Sequence, residues 1–278
     1  FMEGRLYYPL SPVNSVVVGS SRVMQINSSV IGEDIQSFTV SGASIEDDIA
    51  FGLEALAKLN YENIYISADP WILNLNDGQN RYQSVDDLFR YWLKRMRSNL
   101  SPIPFFNNDA RDENGPSESN YFRSLRKFIT QDYQKNVPSH GDIEAEAKKS
   151  YDGSHIYNER YVLASSENIS VGFRGLLNYA MDEFAYDNEA ISNLEFFVSY
   201  LKAKNVKVTL VLSPYHPQVY QLMEAEKPIF LELESWYRDF AVENEIQIVG
   251  SYNGGLVGCN GDEFYDGMHP KNSCMIKL

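Results

Sequence analysis

Five short runs of apolar, β-branched residues, separated by stretches long enough to hold helices, constrain this chain more than any other feature. They are Ser15–Val18, Ser37–Val40, Asn63–Ser67, Lys207–Leu212 and Ile246–Val249. Such runs read as strands buried on both faces, because a strand with one wet face would alternate. Between them lie helical patterns. Ile45–Leu59 carries apolar residues at 45, 49, 53, 56 and 59, with Ser44 as N-cap and Asp47 three residues on. Asn188–Lys204 and Val219–Asn244 share that period. Strands alternating with helices predict a three-layer α/β/α sandwich around a flavodoxin-like, five-stranded parallel sheet. At 278 residues and 44% hydrophobic, the chain suffices for one such domain over residues 1–278.

Residues 76–170 break this rhythm. Asn-Asp-Gly, Ser-Pro, Ile-Pro and Asn-Gly-Pro turn signals separate helical pieces at Val85–Asn99 and Asn120–Asn136. We read the segment as a helical and loop-rich insertion after strand three, of the kind that covers a substrate site. No stretch reaches the roughly 18–20 apolar residues of a membrane span. Residues 1–10 lack the apolar core of a signal peptide. A net charge of −14 argues against a nucleic-acid binder, which needs a basic face. Cys259 and Cys274 are the only cysteines, too few for a thiolate zinc site. They pair around the intervening loop in an oxidising compartment, or remain two thiols.

In an open parallel sheet, ligands sit beyond the carboxyl ends of the strands. The chemically suggestive groups all fall there. Strand one leads into Gly19-Ser20-Ser21-Arg22, strand two into Gly42, and strand three into Asp69-Pro70-Trp71 and Asn74. Strand four is followed by Ser213-Pro214-Tyr215-His216-Pro217, and strand five by Asp266-Gly267-Met268-His269-Pro270. A serine hydroxyl is a weak nucleophile until a base takes its proton and a third group orients that base. Ser21, His269 and Asp266 supply those three parts. Trp71, His216 and Arg22 are candidates for contact with substrate, although Arg22 also reads as an ion-pair partner. His155, in Asp152-Gly153-Ser154-His155, copies the Asp-x-x-His spacing within the insertion and reads as a decoy. His140 reads as a surface loop residue.

These motifs resemble the SGNH hydrolase superfamily, also called GDSL-like lipases and esterases. Its Gly-Asp-Ser motif is matched by Gly19-Ser20-Ser21, so the resemblance assigns the nucleophile to Ser21. Its final Asp-x-x-His is matched by Asp266 and His269. Gly42 matches its second-motif glycine, so the resemblance assigns the Gly42 N–H to an oxyanion hole beside that of Ser21. The Gly-Ser-Ser variant is most similar to the branch handling O-acyl groups on bacterial surface polymers, including alginate acetylation and teichoic-acid D-alanylation proteins. The resemblance implies the SGNH hydrolase fold and a serine-dependent O-acyl esterase or O-acyltransferase acting on an acylated, chiefly acetylated, carbohydrate. It implies no metal or organic cofactor, an extracytoplasmic location in the cell envelope, and a membrane-bound acyl-donor partner. One motif departs. Where the family has Gly-x-Asn-Asp, this chain reads Ser67-Ala68-Asp69-Pro70, and an ionised Asp69 cannot donate a hydrogen bond. Asn74 is the remaining candidate for the third oxyanion donor. The departure leaves open a catalytically degenerate module that binds polysaccharide or scaffolds a membrane acylation complex.

Overall fold

The computed structural model describes residues 13–105, 148–150, 152–163 and 177–278. The expected helix Asn120–Asn136 and His140 lie outside these residues. Strands β1 (Ser15–Val18), β2 (Ile35–Ser37), β3 (Asn63–Ser67), β4 (Lys207–Leu212) and β5 (Gln247–Gly250) form one sheet. Its order is β2-β1-β3-β4-β5 with every neighbour parallel, the flavodoxin-like arrangement. β1, β3 and β4 have the expected bounds. β2 lies earlier than the apolar run Ser37–Val40. Phe38 and Val40 still donate to Val17 O and Gly19 O, at 2.8 Å each, but β1 turns away at Gly19 and the ladder ends. Their apolarity reflects burial beyond the strand rather than membership of it.

Alternation along the strands sorts the core. Val16, Val18, Ile64, Ile66, Leu210 and Leu212 face a deep layer. That layer includes α1 (Ile45–Leu59), α2 (Asp86–Arg97), α3 (Asn188–Ala203), α4 (Pro217–Glu226) and α5 (Ile229–Glu243). Val17, Tyr65 and Val211 face a thinner layer built on Val23, Ile26 and Met275, from the chain after β1 and the short helix Asn272–Met275. Ser44 and Asp47 form the expected capping box on α1. The single helix expected over Val219–Asn244 is two, separated at Lys227–Pro228. A proline has no N–H for a helical hydrogen bond, and its ring clashes with the preceding turn. α2, the first helix of the loop-rich segment, packs on α1 and α3. Its Trp92 is fully buried and donates to Glu54 Oε2 at 3.1 Å. Among the described residues, no helix is long and apolar enough to cross a membrane.

Candidate active site

β1 ends at Gly19, which has φ +136°. A methyl group on it would sit 2.3 Å from Ser67 Cβ, so β1 and β3 approach too closely here for any side chain. Ser20 then caps a single 3-10 turn, Ser21–Val23, its Oγ accepting from Arg22 N at 3.1 Å. Ser21 therefore stands at a helix start, where backbone N–H groups have no partner within the helix. Among the described residues, no backbone carbonyl accepts the Ser21 N–H.

The loop after β5 brings Asp266 and His269 to this turn. His269 Nε2 lies 2.9 Å from Ser21 Oγ, and His269 Nδ1 lies 2.7 Å from Asp266 Oδ2. A carboxylate only accepts, so Nδ1 carries the proton and Nε2 is left to accept the serine proton. Asp266 Oδ1 accepts from Met268 N at 2.8 Å and His269 N at 2.9 Å, which folds the Asp-x-x-His spacing into one tight turn. Burial works to raise the Asp266 carboxyl. The neighbouring His269 charge and hydrogen bond, with the two backbone N–H groups, outweigh it and hold the carboxyl below its ordinary value. Such an arrangement can pass a proton from hydroxyl to imidazole while the carboxylate balances the charge.

Two buried side chains of the Ser21 turn fix the loop on either side of His269. Arg22 Nε donates to Met268 O at 3.3 Å, and Gln25 Nε2 donates to Pro270 O at 2.8 Å. Gln25 Nε2 also reaches Arg22 O at 3.0 Å. Cys259 and Cys274 are joined, with Cα atoms 5.3 Å apart, so a disulfide closes the segment that carries Asp266 and His269. Gln25 went unrecognised in the sequence, where a lone glutamine four residues past Ser21 carries no signal.

Several expectations are corrected. Arg22 is fully buried and cannot meet substrate. Its Nη1 pairs with Asp69 Oδ1 at 3.1 Å, its Nη2 donates to Ser213 O, and its guanidinium carbon lies 3.8 Å from the Tyr215 ring centroid. Asp69 thus serves as counter-ion, its other oxygen accepting from Ser67 Oγ at 2.7 Å. Trp71 is 1% exposed, its indole N–H donating to Ala43 O at 3.1 Å, so it supports the site from within the core. His216 is also 1% exposed. It caps α4, Nδ1 accepting from Gln218 N at 3.2 Å. Burial holds its imidazole below the ordinary value against the pull of Asp262 and Asp266. Asn74 is occupied elsewhere. Its oxygen accepts from Asn76 N at 3.2 Å and Ala185 N at 3.1 Å, and its nitrogen donates to Ala180 O at 2.9 Å. That side chain joins the turn after β3 to Ala180 and Ala185 instead of completing an oxyanion hole. The decoy Asp152 caps its own turn, accepting from Ser154 N and Oγ, while His155 N donates to Met24 O at 2.7 Å.

Gly42 follows by two residues Val40, whose N–H donates to Gly19 O at 2.8 Å. It has φ +60°, a region that favours glycine. Among the described residues, no backbone carbonyl accepts its N–H.

No protein-family model and no curated protein sequence matches the chain. Among solved structures it is similar to a candidate acylhydrolase of Bacteroides fragilis NCTC 9343, at 12% identity and a TM-score of 0.40, over 95% of this chain and 82% of that one. It is also similar to a GDSL-like lipase of Bacteroides thetaiotaomicron VPI-5482, at 12% identity and a TM-score of 0.41, over 95% of this chain and 83% of that one.

Proposed function

We propose that this chain is a serine-dependent O-acyl esterase or O-acyltransferase of the SGNH type, acting on an acetylated carbohydrate. The observation that carries the reading is the continuous Asp266–His269–Ser21 relay, with contacts of 2.7 and 2.9 Å. A binding or scaffolding module has no need of a base within hydrogen-bond reach of a serine, itself oriented by a carboxylate. Ser21 Oγ attacks the ester carbonyl as His269 Nε2 takes its proton. The carbonyl oxygen becomes an oxyanion held by the backbone N–H groups of Ser21 and Gly42. Collapse breaks the ester C–O bond, and the departing alkoxide takes the proton from His269. The acyl group is left on Ser21. Water or a sugar hydroxyl, deprotonated by His269, then attacks the acyl-enzyme, and Ser21 leaves with that proton. Hydrolysis and transfer share every residue in this sequence and differ in the acceptor. The disulfide supports an oxidising, extracytoplasmic setting, where such bonds persist.

The test is intact-mass analysis during turnover of p-nitrophenyl acetate. The wild type is expected to gain an acetyl adduct of about 42 Da that Ser21→Ala lacks. A wild type with neither adduct nor turnover above the Ser21→Ala background rejects the proposal.

A further inference from the structure

The three residues that the sequence offered for substrate contact, Trp71, His216 and Arg22, are all buried. Two others meet at Gly42. A methyl group built on Gly42 would lie 2.7 Å from Gln79 Oε1 and 2.9 Å from Tyr179 Oη. These polar tips meet over the candidate oxyanion glycine from positions 100 residues apart, Gln79 Nε2 donating to Tyr179 Oη at 3.5 Å. Both are anchored from behind. Gln79 N donates to Asp77 Oδ1 at 2.8 Å. The Tyr179 ring stands edge-on to Trp71, with centroids 5.4 Å apart and planes at 84°. Trp71 in turn is held by its bond to Ala43 O, one residue from Gly42. Tyr179 nevertheless remains 39% exposed. The result is an aromatic ring on a rigid support, beside a side-chain amide, against the glycine proposed as the second oxyanion donor.

We propose that Gln79 and Tyr179 form the subsite for the alcohol portion of the ester, and that this portion is a pyranose ring. A sugar offers an apolar face and a fringe of hydroxyls. An exposed tyrosine ring meets the first, and an amide that both donates and accepts meets the second. Contact at Gly42 puts the subsite where the sugar emerges once its ester carbonyl has entered the hole. The inference rests on the acyl-ester reading for the identity of the ester, while the subsite is measurable without turnover.

The experiment uses mono-O-acetylated methyl glucopyranoside as probe, in two arms. In the first, its dissociation constant for Ser21→Ala protein is measured by chemical-shift titration, alone and combined with Tyr179→Ala, Tyr179→Phe or Gln79→Ala. Tyr179→Ala is expected to weaken binding about tenfold, equivalent to ~1.4 kcal/mol. Tyr179→Phe, which keeps the ring, should weaken it less than Tyr179→Ala, and Gln79→Ala should also weaken it measurably. In the second arm, kcat and KM are compared on the probe and on p-nitrophenyl acetate in the Ser21 protein. The Tyr179→Ala change should lower kcat and raise KM for the sugar ester, lowering the sugar-to-nitrophenyl ratio of kcat/KM by about tenfold. An unchanged ratio, equal losses on both esters, or no binding of the probe by Ser21→Ala overturns the subsite. Tyr179-dependent binding by Ser21→Ala, with neither acyl-enzyme nor turnover in the wild type, supports the subsite and rejects the esterase reading.

Discussion

Replacing Asp69 with asparagine removes the counter-ion of a guanidinium that has no access to water. The side chains of Arg22 and Asp69 are 0% and 1% exposed, and their contact is 3.1 Å. Breaking such a pair from one side costs about 3–5 kcal/mol, because the surviving charge stays desolvated. Here Arg22 keeps the carbonyls of Ser213 and Met268 as acceptors and the face of Tyr215 at 3.8 Å. Cation–π contact offsets up to about 2 kcal/mol in a desolvated site. We therefore expect the lower end, about 3 kcal/mol. For a domain of this size that is a fall in Tm of about 6–12 °C by circular dichroism. A buried pair is shielded from ions, so the fall should persist at about 0.5 M NaCl. The double variant Arg22→Met/Asp69→Leu, which buries no charge, should regain most of the stability. It should not regain kcat, because the Arg22 bond to Met268 O, one residue before His269, is gone. A fall in Tm below about 3 °C for Asp69→Asn, or one that vanishes in salt, refutes the assignment of Arg22 and Asp69 as a buried pair.

Further outcomes follow from the same geometry. Asp266→Asn keeps the shape but loses control of the His269 tautomer, and should lower kcat on p-nitrophenyl acetate by about 10⁴ while Tm stays high enough to assay a folded protein. Cys259→Ser/Cys274→Ser opens a loop of sequence separation 15 and should cost about 3 kcal/mol, read by urea titration against disulfide-intact wild type. Asp77 is held up at about 6, first by burial and then by the charges of Glu46 and Asp187, against its hydrogen bond from Gln79. A raised carboxyl lends the fold stability that is complete below its ordinary value of 3.8 and lost as pH rises through about 6. Asp77→Asn should therefore leave Tm near wild type at about pH 4 and exceed it at about pH 7. A gain confined to low pH would contradict the sign.

The frame of the molecule was legible because apolar runs and helical periods are local signals. β1, β3 and β4 have the bounds their residues indicate, and α1 starts at its Ser44 cap. The strand-two run misled because Phe38 and Val40 are buried without belonging to the ladder. The relay was legible for a different reason, since Asp266 and His269 are close in sequence and both flank the final strand. Arg22, Trp71 and His216 were rightly placed at the carboxyl end of the sheet, yet polarity and position do not say whether a side chain lies above or below the surface. Tyr179 and Gln79 were missed because they meet only in the folded chain, at Gly42. Their 100-residue separation leaves no local pattern.

The Ser67-Ala68-Asp69-Pro70 run and the arginine that follows Ser21 are explained by one interaction. Arg22 needs a buried anion, and the end of β3 supplies it as Asp69, adjoining the core-directed turn Pro70–Leu73. With Asp69 so engaged and Asn74 bonded to Ala180 O, the proposed hole rests on the backbone N–H groups of Ser21 and Gly42. Losing one donor from such a hole typically costs about 2.7–4 kcal/mol of transition-state stabilisation. A site with two donors must recover that elsewhere, through binding of the part of the substrate that does not react. The Gln79–Tyr179 lip is where that binding is available, and it touches the same glycine that supplies the second donor. Simple aryl esters, which cannot use the lip, should accordingly show low kcat even with the relay intact, while the sugar ester gains in kcat as well as in KM. Equal kcat on the two esters, with acylation shown to be rate-limiting by the absence of a burst, would separate the lip from catalysis and leave it a binding feature alone.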